Sequence, residues 1–137
     1  MYIFDEVFDD ILENIKNKNK DLLIKNIEKL NEIDDINEFN EIRVMDYLEE
    51  SDNFEMDEIF IENYDYIPRR EFYEKLNIIK NPSTDYEQLV ECLESGPESN
   101  FINDIYLYHK ILFERFVELK KENEIRISIE KMQVNKK

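Results

Sequence analysis

Apolar side chains recur along this chain at alternating steps of three and four, the spacing that gathers them on one side of an α-helix. Ile3, Phe4, Val7, Phe8, Ile11, Leu12 and Ile15 predict a first helix through about Lys18. An Asn- and Lys-rich turn follows. A second helix runs from about Asp21, its expected cap, with Leu23, Ile24, Ile27, Leu30 and Ile33 on one side. Asp35 followed by Glu38 has the spacing of a capping box and opens a third helix through about Glu50, broken by Ser51 to Asn53. Met56, Ile59, Phe60 and Tyr64 share one side of a fourth, while Glu55, Glu58, Glu62 and Asp65 line another as a stripe of four carboxylates.

Pro68 suits the first turn of a fifth helix, in which Phe72, Tyr73, Leu76 and Ile79 point inward and which Asn81 and Pro82 end. A sixth begins near Ser83 to Asp85, carries Tyr86, Leu89, Val90 and Leu93, and stops at Ser95-Gly96-Pro97. The seventh, about Asn100 to Glu122, bears one apolar row at Phe101, Ile105, Leu112, Phe116 and Leu119 and a second at Ile102, Tyr106, Phe113 and Val117, so contact on two sides is expected. In the tail, Ile125, Ile127 and Ile129 alternate with Arg126 and Ser128, which favours a short strand or extended segment, with a frayed continuation of the helix as the alternative.

Short connections force consecutive helices to fold back on each other. The expected architecture is all-α: antiparallel helical hairpins forming a bundle or short α-solenoid of about seven helices. Residues 1–137 make one domain, with 123–137 an extended or frayed tail. No linker divides it, and the consensus residues of tetratricopeptide or ankyrin repeats are absent.

Charge adds a strong asymmetry to this pattern. Of the net charge of -16, residues 1–65 hold 21 acids against 6 bases, whereas the remaining 72 hold 13 against 12. Between Glu32 and Asp65 there are 14 acids and the single base Arg43. Such a field repels nucleic acid and anionic membrane surfaces and attracts a basic partner. Solubility alone needs net charge, but not its concentration in one half, where like charges at helical spacing cost ~0.2–0.5 kcal/mol per pair.

The residues offer little catalytic chemistry. Cys92 stands alone among Leu89, Val90 and Leu93 and reads as a buried thiol. The single glycine excludes a Gly-rich phosphate loop, a dinucleotide fingerprint and an EF-hand. His109 is the only histidine, on a different helix from Cys92, and reads as packing; Tyr106 occupies the position where a di-iron bundle would place Glu. Adjacent carboxylates such as Asp9 and Asp10, Asp34 and Asp35, or Glu49 and Glu50 diverge by about 100° on a helix and do not converge on an ion. No cofactor, metal or enzymatic activity is therefore expected. No apolar run spans a membrane and Met1 to Glu6 lacks the features of a secretory signal, so the expected location is the cytosol.

Aromatic residues lie among the acids: Tyr47, Phe54, Phe60, Tyr64 and Tyr66. Interfaces place such anchors inside charged rims, although core packing is the competing role, above all for Phe60.

Leu22-Leu23-Ile24 through Leu30, Ile33-Asp34-Asp35, Asp52-Asn53-Phe54-Glu55-Met56, Tyr64, Ile67-Pro68, Tyr73 and Leu76 together resemble the small helical-repeat immunity proteins of bacterial polymorphic toxin systems, over roughly residues 20 to 80. That resemblance implies neutralisation of a cognate basic, nuclease-like toxin by covering its active-site cleft. The acidic surface expected to do so comprises Glu38, Glu41, Glu49 and Asp52 of the third helix and Glu55, Glu58, Glu62 and Asp65 of the fourth, with Tyr47 as anchor. Two alternatives remain: a phage-type acidic mimic of nucleic acid that inhibits a DNA-binding protein, which shares the charge pattern, and a helical adaptor that uses its apolar grooves. The acidic reading requires these carboxylates to face outward without neutralisation by Lys and Arg of the C-terminal half.

Overall fold

The computed structural model of the chain describes residues 3–34 and 36–135. It consists of seven α-helices: α1 (Ile3–Lys16), α2 (Lys20–Asn31), α3 (Glu38–Glu50), α4 (Phe54–Asn63), α5 (Arg70–Lys80), α6 (Tyr86–Ser95) and α7 (Ile102–Asn135). The chain is all-α, as its periodicity predicts. No helix among the described residues is long and apolar enough to cross a membrane.

Successive helices pair as hairpins, α1 on α2, α4 on α5 and α6 on α7, and α5 is the hub that also touches α3, α6 and α7. One core runs through all of them. At one end Phe4 stacks on Phe8, whose ring meets the edges of Tyr47 and Phe60, and Phe60 stacks on Tyr64. At the other, Phe72, Leu76 and Ile79 of α5 are buried with Leu89, Tyr108 and Leu112. These aromatics each bury a large apolar area and prefer stacked or edge-on contacts, which locks the hairpins in register.

Local signals set the helix ends, with several shifts from the expected positions. Asn19, rather than Asp21, caps α2 by accepting from the Leu22 N–H at 3.2 Å. Asn37 caps α3 through the Asn40 N–H at 3.0 Å; the expected Asp35 box lies outside the described residues. Pro68 precedes α5, whose cap Arg69 adopts left-handed backbone angles (φ 47°). Asp85 and Gln88 form a capping box on α6, and Gly96 ends that helix at φ 80°.

Two expectations for the C-terminal part fail. The tail is no strand: α7 continues through Ile125, Ile127 and Ile129 to Asn135. From residue 98 onward the chain has no Gly or Pro, and good helix formers surround the three isoleucines, so nothing interrupts the helix. Nor does α7 use its second apolar row: it packs on both α5 and α6, but through other side chains. Its inward row is Asp104, Tyr108, Leu112 and Arg115, whereas Ile102, Tyr106, Phe113 and Val117 are all more than half exposed.

Candidate partner-binding surface

Whether the acidic stretch is neutralised depends on where the bases go. A helix leaves its last four carbonyls without partners, and in this fold basic side chains from other helices reach several helix ends. Lys80 places its ammonium on the end of α3, donating to Leu48 O at 2.9 Å, Glu49 O at 2.5 Å and Ser51 O at 3.2 Å. Arg70 donates to Ile61 O and, at 2.5 Å, to Tyr64 O at the end of α4. Arg115 reaches Ile79 O at 3.1 Å at the end of α5, and Lys75 reaches Gly96 O at 2.7 Å at the end of α6. A cation at a helix C-terminus also offsets the macrodipole there.

Of these bases, Lys80 also acts on Asp57, Glu49, Asp52 and Glu50 of the acidic stretch. Arg43, the lone base of the acidic stretch, turns to α1, pairing with Asp5 and with Asp9 at 2.5 Å while its guanidinium lies over Phe8. Among the described residues, the only ion pair made by a carboxylate between Glu32 and Asp65 joins Glu55 to Lys20 at 2.5 Å. Its Lys20 hydrogen bond lowers the Glu55 carboxyl below its usual range.

The nine expected surface residues do not form one sheet of charge across α3 and α4. Glu58 and Glu62 line a groove between α4 and α5, with a volume of about 250 Å³, together with Glu74, Asn77, Asn81 and the side chains of Ile61 and Ile78. No base lines it. Glu49 and Asp52 instead lie on a groove of about 500 Å³ between the end of α3 and α7, which also contains Glu50, Glu114, Glu118 and Glu122 over Phe54 and Ile111. Glu41 and Asp65 are close enough to act on the Tyr64 phenol, which burial foremost pushes up to about 12. Glu38 is exposed at the start of α3.

Three of the nine have other structural settings. Asp65 is not on the stripe, because α4 ends at Asn63: the Asn31 amide donates to Asn63 O at 3.0 Å and accepts from the Asp65 N–H at 2.8 Å, fixing the turn. Tyr47 is not a protruding anchor. It is half-buried against the core, and its hydroxyl donates to Asp57 at 2.6 Å and accepts from Ser51 at 3.2 Å. Glu49 is half-buried and accepts from the Tyr73 hydroxyl at 3.2 Å, and desolvation raises its carboxyl above the usual range.

Two participants went unread in the sequence. Asp57 is 2% exposed although it stands in an acidic run, and burial raises its pKa. Glu74 belongs to the groove. Its signal was the row Glu74, Asn77, Ile78 and Asn81, which leaves α5 on the side away from its buried Phe72, Leu76 and Ile79. Among the described residues, no three His, Cys, Asp or Glu side chains converge as a set able to hold a metal ion.

The α4–α5 groove is chemically suited to a cationic side chain. Glu58, Glu62 and Glu74 can accept from a guanidinium or ammonium while Ile61 and Ile78 receive the aliphatic stem of an Arg or Lys. No family model, no curated protein and no solved structure matches the chain.

Proposed function

We propose that this protein acts by binding one basic protein partner through the α4–α5 groove, without catalysing a reaction. In line with the resemblance noted in the sequence, the partner is a nuclease-like toxin whose cationic cleft is covered and kept from its substrate. The observation that carries this reading is the groove lined by Glu58, Glu62 and Glu74 over an apolar floor, with no base on its walls. Lys80 and Arg70, the nearby bases of α5, are held on backbone carbonyls instead.

The test is binding by the wild-type protein and by Glu58→Lys with Glu62→Lys to a panel of cationic nuclease toxin domains. One domain is expected to bind tightly, with association slowed about 10–100-fold in the double variant and by added salt. Both side chains are exposed, so the fold should stay intact. Unchanged affinity in the double variant removes the groove from the interface. Equal binding to several unrelated DNA-binding proteins, each displaced by duplex DNA, replaces the immunity reading with mimicry of nucleic acid.

A further inference from the structure

The outer face of α7 carries a row of side chains that is exposed along its whole length. Phe113, Val117, Lys120, Glu124, Ile127 and Lys131 succeed one another at steps of four, three, four, three and four, the 3.5-residue spacing of a coiled-coil seam. The apolar members Phe113, Val117 and Ile127 are 56%, 51% and 40% open to solvent. Among the described residues, Lys120, Glu124 and Lys131 make no ion pair. Beyond the folded body the helix runs on, with residues 120–133 exposed at every position. A helical segment of that length is marginal in water by itself.

The row is self-complementary about one point. Its positions lie symmetrically around Glu122, with Lys120 and Glu124 two residues to either side, Val117 and Ile127 five, and Phe113 and Lys131 nine. A second identical helix turned end for end therefore sets Lys120 against Glu124, Val117 against Ile127, and the Phe113 ring against the stem and ammonium of Lys131. Each match occurs twice. A parallel pair would instead oppose Lys120 to Lys120 and Glu124 to Glu124. Tyr86 of α6, its ring centroid 5.8 Å from that of Phe116, widens the apolar surface on the body's side of the seam.

We infer that α7 pairs antiparallel with α7 of a second copy of this chain, about a two-fold axis at Glu122. The overhang of each copy then lies along the outer face of the other's α7, and Ile127 gains an apolar contact that its own chain does not supply. An axis between His109 and Lys110 would match Ile102 with Val117 and Tyr106 with Phe113. It would also set those two bases on each other and, because α6 lies beside Tyr108 and Phe116, stack the exposed Glu87, Glu91 and Glu94 of one α6 over those of the other. Charge therefore selects the axis at Glu122. The contact is isologous and closes at two copies. No residue of the α4–α5 groove takes part, so the inference does not rest on the proposed toxin partner.

From Phe113 to Lys131 the seam is about 27 Å long at 1.5 Å per residue. A contact of that size falls at the weak end of specific interfaces, with a dissociation constant of ~10–100 µM. Sedimentation equilibrium of the full chain up to about 1 mM tests it, and the expected species is a dimer of twice the 16.8 kDa chain mass. Val117→Glu should weaken the dimer about tenfold or more. Lys120→Glu and Glu124→Lys should each do so by placing like charges opposite one another, and an equimolar mixture of these two variants should restore it, since their altered charges then face each other. Thermal unfolding checks that each variant keeps its folded body, because all three positions are exposed. A monomer at every concentration overturns the inference, as does a dimer indifferent to Val117→Glu or a mixture that fails to recover. So does a dimer lost with Ile102→Glu, a position beyond the seam, which would place the axis between His109 and Lys110.

Discussion

Asp104→Ala should be among the most damaging single changes in this protein. Asp104 sits in the first turn of α7, is 3% exposed, and receives the Arg69 guanidinium through Nε and, at 3.1 Å, Nη2. Ser99 donates to the same carboxylate at 2.7 Å. The pair ties the turn before α5 to the start of α7, with Arg69 held in the left-handed backbone region and its guanidinium 4.7 Å from the Phe101 ring centroid. The Asp104 hydrogen bond raises the Arg69 pKa further above its ordinary value. Breaking a fully buried ion pair costs roughly 3–5 kcal/mol. Because the Arg69 side chain is 27% exposed, water recovers part of that, leaving about 2 kcal/mol. Loss of the Ser99 bond adds about 1 kcal/mol. The expected total is ~3 kcal/mol, or a fall in Tm of about 10 °C for a chain of this size. Urea denaturation followed by helical ellipticity measures it, and a double-mutant cycle with Arg69→Met should return a coupling of about 2 kcal/mol. A loss below ~1 kcal/mol, with coupling near zero, would refute the view that this pair anchors α7.

Two further predictions concern groups that burial perturbs. Lys80→Met should lower stability by about 1–2 kcal/mol and speed amide exchange in the last turn of α3; three bonds from an ammonium would suggest more, but burial lowers the Lys80 pKa, and that desolvation offsets part of them. No change in exchange at α3 would show that the carbonyls do not depend on this cap. Burial raises the Asp57 carboxyl above its ordinary value of 3.8, so the folded state binds this proton more tightly than the unfolded chain does. Its contribution is fully present below about 3.8 and is lost as pH rises through the raised folded value. Acidification from neutrality should therefore stabilise the wild type more than Asp57→Asn, as urea midpoints across that window would show; a smaller gain in the wild type contradicts the assignment.

The number and order of helices were legible in the sequence because each depends on local matters: apolar residues at three- and four-residue steps, a capping residue, and Gly96 or Asn81 as a stop. Some boundaries were not, since Asn31 of α2 decides where α4 ends and Arg69 takes its conformation from Asp104 of α7. The tail misled because three alternating isoleucines imitate a strand, whereas an uninterrupted helix-forming segment determined the backbone.

Charge asymmetry likewise belongs to the sequence alone, since it needs only counting. Its arrangement does not. The tertiary structure placed Lys80, Arg70, Arg115 and Lys75 on the carbonyl ends of four helices, with Lys80 also acting on Asp57, Glu49, Asp52 and Glu50. It also drew Tyr47 and Asp57 inward and brought Glu74 of α5 beside Glu58 and Glu62 of α4. Helical periodicity reports which side of a helix is apolar, but only the packing of one helix on another determines which polar side chains meet across the gap and which backbone groups need a partner there.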